Sequence, residues 1–479
     1  MSRSISSNVA TVNNSDVAAG FRRLMPPLLP WIIGVLVLVC VQQLSDSPAQ
    51  ALVLGGLAAP LVISILMWMN LGGPCLPVLP LVLLINFLVF GLSILLFDSQ
   101  ALPEPLLDLV SLPLLLWPSM LLIGWSVVPT PWLRRRPQPP LLQALDSQQL
   151  LPHLLLGSAL LVQTLLNSGV LWELLGPSAS GLTNPLQTLM TLLTLPGAFV
   201  GAFLWGRNRL REPAVFWLLV IIYFTGFLLS FLLSAAQNLV IAVLLGLWLG
   251  RARSALPITL ALVALLAFLH PGKAEMRAKY WNSTLSRPSP PELLVEWIGA
   301  SYNATFTPQV DKESQGLDKR LANLAMLIYV SVQQQRGFLP LDGATYSIIP
   351  EIVIPRFLTP NKVRAQEGQV MLNLHYGRQA SREETERTYI SWGLLPEAVG
   401  NYGPLLGPLV VGFLFGLMIR LVELTGADQD LLSKPGLQSL VLGVLLIGSY
   451  EMVASTLVAA CFQSFLLVEG LNLYLRQQR

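Results

Sequence analysis

Long apolar runs separated by short polar breaks recur along the chain at near-regular intervals, the pattern of helices that cross a bilayer. The runs cover residues 26–43, 51–69, 75–97, 106–128, 151–171, 185–205, 214–233, 237–250, 256–270, 403–422, 436–456 and 458–475. At about 20 residues per crossing they predict an all-α polytopic membrane protein of about 12 transmembrane helices. Runs 237–250 and 256–270 are short for a bilayer. The last two crowd around Glu451, where one span plus an interfacial helix is the alternative to two spans. The first run follows a polar Ser/Asn-rich tail and continues past Val41 without a small-residue cleavage site, so it reads as a span rather than a signal peptide.

The pattern breaks once, over residues 271–402. Four regions follow: a polar tail at 1–25, a membrane region of about nine helices at 26–270, one large loop at 271–402, and C-terminal membrane helices at 403–479. A structureless loop of this length is unusual, so short helices are expected inside it. In "LDKRLANLAMLIYVSVQQQRG" the apolar positions Leu321, Leu324, Ala325, Ile328 and Val332 have helical spacing. They predict an amphipathic helix lying on the outer surface.

Charge orients the spans. Only 11% of residues are charged and mean hydropathy is +0.63, against roughly 25% charged in soluble domains. With the N-terminus inside, the inner turns hold Arg22 and Arg23, Arg134 to Arg136, Arg207, Arg209 and Arg211, Arg251 and Arg253, then Arg420, Lys434, Arg476 and Arg479. The short outer turns hold Asp46, Asp98, Glu104, Asp108 and Glu173 and no Lys or Arg. This asymmetry predicts both termini in the cytoplasm and the large loop outside. The loop from 271 to 395 carries 14 Lys/Arg and 12 Asp/Glu, about half of the charge in the protein. Cys40, Cys75 and Cys461 each fall inside a predicted span, which excludes a disulfide framework in the loop and reads as helix packing. Nothing points to nucleic acid, and no zinc spacing, P-loop or dinucleotide motif appears.

Candidate chemistry concentrates in the loop. "IPRFLTPNKVRAQEG", 354–368, brings Arg356, Lys362 and Arg364 together beside a Pro-rich turn, with Arg320, Arg336, Arg378, Arg382 and Arg387 around it. Outside the cytoplasm there is no ATP, so an enzyme there needs a substrate that carries its own energy. A lipid-linked pyrophosphate sugar does, and basic side chains hold its phosphates and the charge that builds on a departing pyrophosphate. The alternative is a solvated loop whose Arg residues pair with Glu367, Glu383, Glu384 and Glu386. In "GLLPEAVGNYGPLLGPLVVGFLFG", 393–416, Glu397 sits where the loop re-enters the apolar region. It is a candidate general base, with an Arg pair or a helix-terminal contact as the structural alternatives. Gly403/Gly407 and Gly412/Gly416 have the spacing of helix packing. His375, in "LNLHYGRQ", is a candidate base or phosphate contact; His153 and His270 carry no such context. Asp428 and Asp430 form a D-x-D pattern in a predicted inner turn, better explained by solubility than by metal.

Four pieces in order are similar to the O-antigen (Wzy-type) repeat-unit polymerases and related exopolysaccharide polymerases: "DKRLANLAMLIYV", "GATYSIIPEIVIPRFLTPNKVRAQEG", "LNLHYG" and "LPEAVGNYGPLLGPLVVGFLFG". The resemblance covers residues 318–420 and is most specific at Ile-Pro-Arg with its following Pro-x-Lys. It implies an architecture like the GT-C lipid-sugar glycosyltransferases and an enzyme of the bacterial cytoplasmic membrane. The reaction implied joins undecaprenyl-pyrophosphate-linked repeat units on the outer face, with inversion at the anomeric carbon. Arg356, Lys362 and Arg364 would engage the pyrophosphate, with Arg320 and Arg378 as second candidates. Glu397 or His375 would assist the attacking hydroxyl, without metal or cofactor. Implied partners are the lipid-linked oligosaccharide, membrane lipids, a chain-length regulator and a flippase. Asp46 lies where such transferases often keep an acid. The chain departs from the family at "SAAQNL", Ser234 to Leu239, a predicted turn where many members carry an Arg. An O-antigen ligase and a lipid-sugar transporter are the competing readings. A transporter would need ionisable groups or broken helices within its spans and internal repeats.

Overall fold

The computed structural model describes residues 48–70, 76–91, 93–94, 104–129, 138, 141, 145, 148–167, 179–229, 233–269, 271–280, 288–306, 322–354, 359, 362–387 and 390–477. The run at 26–43, Cys40, Asp46, His270, Arg320 and Arg356 lie outside them. The described residues contain helices and no strand, consistent with a helical membrane protein. Two compact units emerge: residues 1–140 with 312–474, and 141–311 with 475–479.

The first unit opens with α1 (Pro48–Asn70), α2 (Val78–Asn86, continued by a π turn at Phe87–Gly91) and α3 (Glu104–Ser126). Pro60, Pro113 and Pro118 sit inside α1 and α3, which continue through them as single helices.

The second unit contains α4 (Leu151–Asn167), α5 (Ala179–Gly206), α6 (Pro213–Leu229), α7 (Leu233–Leu249), α8 (Ala255–Leu269), α9 (Lys273–Tyr280) and α10 (Pro290–Phe306). α5 and α7 approach backbone to backbone, because a Cβ on Gly246 would stand 2.4 Å from the Phe199 carbonyl oxygen. Ser234 to Leu239 lie within α7 rather than in a turn, with Ala236 and Leu239 buried. Their small and apolar side chains extend the helix N-terminally by four residues beyond the run at 237–250.

The first unit resumes with α11 (Ala322–Gln335), α12 (Ala344–Ser347), α13 (Ile349–Val353), α14 (Glu367–His375), α15 (Arg382–Arg387), α16 (Leu394–Thr425), α17 (Lys434–Ile447) and α18 (Ala454–Gln477). A 3₁₀ turn at Gly448–Glu451 separates the last two, so the sequence around Glu451 forms two helices, the first of 14 residues. Among the described residues, α1, α3, α16 and α18 are long and apolar enough to cross a membrane, and six further apolar helices are shorter. On α16 the exposed Leu406, Val410, Leu414 and Leu421 form a stripe suited to lipid. Its opposite face carries Gly412 and Gly416; a Cβ on Gly416 would stand 2.1 Å from the Leu121 oxygen of α3. The Gly412/Gly416 spacing thus serves packing, whereas Gly403 makes no such contact and is a break in the helix, at φ 79° and followed by Pro404.

The C-terminal end of α16 gathers Trp68 at the end of α1, the Leu79 N–H at the start of α2, and Trp125 at the end of α3. α1, α3 and α16 therefore run one way and α2 runs the other. The helix predicted to lie on a surface is instead enclosed: Asn323, Leu324, Met326, Leu327, Val330, Ser331 and Gln333 of α11 are all buried. They occupy more than one face: α3 and α16 pack on the helix, and Asn323 Nδ2 donates to the Tyr450 oxygen at 2.7 Å.

Candidate functional site

The site grows from the first part of α16. Gly393, at φ 84°, starts it where a Cβ would meet the Tyr450 oxygen at 2.5 Å, and Gly403 ends it. Residues 394–401 are buried on every face. A half-helix so enclosed has to satisfy its polar side chains internally. Glu397 and Asn401, one turn apart, face the same way and do so together.

Glu397 is 0% exposed. Its Oε1 accepts from Thr345 Oγ1 at 2.7 Å and its Oε2 from the Ala454 N–H at 2.6 Å. Asn401 Nδ2 donates to Thr345 Oγ1 at 2.9 Å and to the Glu397 carbonyl at 2.8 Å, while its Oδ1 accepts from the Thr345 N–H at 3.3 Å. Ala454 is the first residue of α18, so the carboxylate also sits at the positive end of that helix. Of the roles open to Glu397 in sequence, the geometry matches the contact at a helix terminus; neither oxygen reaches solvent.

Beside this knot, Tyr346 stacks on Tyr402 with ring centroids 5.8 Å apart and planes 5° apart. Burial first, then the Glu397 carboxylate and Tyr402, raise the Tyr346 phenol well above its usual 10, so it stays protonated. Its hydroxyl oxygen is buried and lacks a hydrogen-bond partner. Gly343, at φ 83°, admits Tyr402, whose hydroxyl would stand 2.3 Å from a Cβ there.

The basic turn is tied to the same place. Lys362 Nζ donates to the Ile354 oxygen at 2.6 Å, and the Val363 N–H donates to Glu351 Oε1 at 3.1 Å. The Ala365 oxygen accepts from Ser455 Oγ at 2.7 Å and Thr456 Oγ1 at 3.2 Å, in the first turn of α18. Lys362 is half-buried and Arg364 exposed.

His375 ends α14, half-buried and edge-on to Tyr376 at 4.8 Å. Its Nε2 lies 2.8 Å from the Leu339 oxygen. A carbonyl only accepts, so Nε2 carries a proton, which leaves Nδ1 as the nitrogen with the lone pair in the matching tautomer. Tyr376 donates to the Gly400 oxygen at 2.7 Å and Gln334 Nε2 to the Val399 oxygen at 2.8 Å, joining α14 and α11 to the half-helix. Arg378 is exposed, its guanidinium 5.4 Å from the Tyr329 ring centre. The competing pairing of loop Arg with loop Glu holds for Arg382, which meets Glu367 at 2.6 Å.

Structure thus brings 362–365 and Glu397 to the start of α18, and sets His375 at the end of α14 with Arg378 in the turn that follows. The D-x-D pair does not converge: Asp428 is exposed, while Asp430 turns inward to accept the Leu432 N–H at 2.8 Å. Among the described residues no group of three side chains could hold a metal ion.

Sequence reasoning missed Thr345, Tyr346 and Glu423, and misplaced Arg420. Arg420 belongs to no turn; it is 3% exposed inside α16, its Nε donating to the Val128 oxygen at 3.0 Å and its guanidinium 4.3 Å from the centre of the Trp125 ring. Glu423, fully buried, accepts from the Leu79 N–H at 2.9 Å and Trp125 Nε1 at 2.6 Å, with Arg420 at 3.8 Å. The signal was present: two ionisable residues three apart at the end of an apolar run.

No protein-family model matches the chain, and neither a curated protein nor a solved structure is significantly similar to it.

Proposed function

We propose that this protein is a membrane glycosyltransferase that joins lipid-pyrophosphate-linked oligosaccharide repeat units into a polysaccharide outside the cytoplasmic membrane. The observation that carries this reading is the tie between the basic turn and the buried half-helix. Ala365 is held by Ser455 and Thr456, and the neighbouring Ala454 N–H is held by Glu397. That arrangement fixes a Lys/Arg turn at the start of an apolar helix, a suitable position for a pyrophosphate whose lipid tail lies along the helix. Inner-membrane residence and cytoplasmic termini belong to the same proposal and rest on charge asymmetry.

In the proposed step an acceptor-sugar hydroxyl oxygen attacks the anomeric carbon of the donor. The carbon–oxygen bond to the lipid pyrophosphate breaks, and its electron pair leaves with the pyrophosphate. Lys362 and Arg364, with Arg356, Arg320 and Arg378, counter the charge that develops there. His375 Nδ1 takes the hydroxyl proton. Glu397, with both oxygens occupied, positions the turn through α18 and touches no substrate. Losing one charge-assisted contact to the leaving group costs about 3 kcal/mol, or a hundredfold in rate.

The test uses purified protein in vesicles, supplied with lipid-pyrophosphate repeat units and no nucleotide. A ladder of products that collapses in Arg364→Ala, with folding intact, supports both the reaction and the turn. A ladder unaffected by Arg364→Ala and Lys362→Ala keeps the reaction and removes the turn. The break at Gly403–Pro404 and the ionisable pair in α16 favour a second reading, since transporters build sites from discontinuous helices. Sugar lipid crossing the bilayer without a ladder would establish it.

A further inference from the structure

α10 carries three faces where a water-exposed helix carries two. Leu293, Trp297, Ala300 and Ser301 are buried against the second unit, in a cluster with Leu228 of α6, Ala236 of α7 and Leu266 and Leu269 of α8. Trp297 Nε1 donates to the Leu269 oxygen at 2.9 Å and Ser301 Oγ reaches the same oxygen at 3.4 Å, so the helix is fixed to the end of α8. Leu294, Val295, Ile298 and Tyr302 are nevertheless 38%, 69%, 44% and 57% exposed. At 3.6 residues per turn these four fall within an arc of roughly 100°. Glu292, Glu296 and Asn303 occupy the remaining arc, where Glu296 pairs with Lys279 and accepts from the Tyr280 hydroxyl at 2.6 Å.

We infer that α10 lies along a lipid–water boundary, with its Leu294/Val295/Ile298/Tyr302 stripe in the acyl chains, its Glu292/Glu296 arc in water and its third face on the protein. Three observations choose lipid as the occupant. The apolar and charged arcs adjoin without mixing, as in helices that lie in a membrane interface. The helix is fixed to the last turn of α8, and α8 and α6 expose apolar side chains of their own, Leu256 and Leu260 on one and Leu218, Ile221 and Ile222 on the other. The stripe is also small: four side chains, against the ~20–30 residues a side of a stable protein interface. Tyr302 has the apolar body and polar tip suited to the headgroup level. The inference rests on the chain being a membrane protein and is independent of the reaction proposed above.

The test replaces Cys40, Cys75 and Cys461 by Ala, introduces Val295→Cys, and labels it with bimane in full-length protein in phosphatidylcholine vesicles. Glu292→Cys is the partner on the charged arc, and Ile298→Cys repeats the test should Val295→Cys not fold. Quenching by lipids brominated along the acyl chain is expected to be at least about threefold stronger at 295 than at 292, with the order reversed for aqueous iodide. Iodide quenching equal at both positions would overturn the inference by placing the stripe in water. Quenching by neither would overturn it by placing protein, such as a second copy of the chain, over the stripe. The product ladder is a separate readout, so either proposal can fail alone.

Discussion

Glu397 and Thr345 lie 52 residues apart in the chain and share a 2.7 Å hydrogen bond, both fully closed to solvent. Thr345 Oγ1 is the hinge of the arrangement, since it donates to the carboxylate and accepts from Asn401. Removing it while keeping the shape leaves two buried polar groups short of a partner. Thr345→Val is therefore expected to lower stability by about 1–3 kcal/mol, and Thr345→Ser by less. Thermal unfolding of the purified variants checks this. A Val variant as stable as the wild type would mean that the knot is not a structural anchor.

Glycine at 416 is a distance constraint. A Cβ there meets the Leu121 backbone oxygen at 2.1 Å, and backbone cannot step aside as a side chain can. Gly416→Ala is expected to part α3 from α16 and to destabilise by about 1–3 kcal/mol. At Gly470 in α18 nothing stands within 4 Å. Gly470→Ala is expected to be neutral or stabilising by up to about 1 kcal/mol through helix propensity. The contrast between the two melting temperatures is the measurement.

The Arg420–Glu423 pair lends itself to a double-mutant cycle. Each buried charge is tolerated only because the other, with Trp125, Leu79 and Val128, surrounds it. Arg420→Met alone is expected to cost about 3–5 kcal/mol, and Arg420→Met with Glu423→Leu distinctly less. Additive losses would show that the two charges do not depend on each other.

Acid is expected to loosen α9 against α10. Hydrogen bonds from Lys279 and then Tyr280 hold the Glu296 carboxyl below its usual 4.5. A folded-state value below the unfolded one contributes stability that is present above about pH 4.5 and is lost as pH falls through the lowered folded value. Amide exchange over 273–306, corrected for intrinsic rates, is expected to rise across that interval in wild type and to stay level in Glu296→Gln. The effect is small because the pair is largely exposed.

Much of the fold was legible beforehand, for reasons that differ by element. The apolar runs at 51–69, 106–128, 185–205 and 214–233 became α1, α3, α5 and α6 because hydropathy is a local property that any helix inherits. The pattern over 322–335 placed a helix correctly but not its surroundings. α11 was expected on a surface and is enclosed, while α10 carries an exposed apolar stripe. Periodicity tells that a helix has an apolar side. It does not tell whether protein, lipid or water meets that side.

The site shows the same division more sharply. Lys362, Arg364, His375, Arg378 and Glu397 could be chosen as candidates from residue type and position alone. That Glu397 is sealed while His375 is half-open depended on partners the sequence does not bring near: Thr345 at 52 residues and Ala454 at 57. Glu423 shows the extreme, its partner N–H at Leu79 standing 344 residues away. Sequence by itself determined the class of protein, the placement of most helices and where charge gathers, because hydrophobicity and charge act residue by residue. Only the tertiary structure decided which ionisable groups are buried and what they hold, because burial and hydrogen bonding belong to pairs of residues that folding alone brings together.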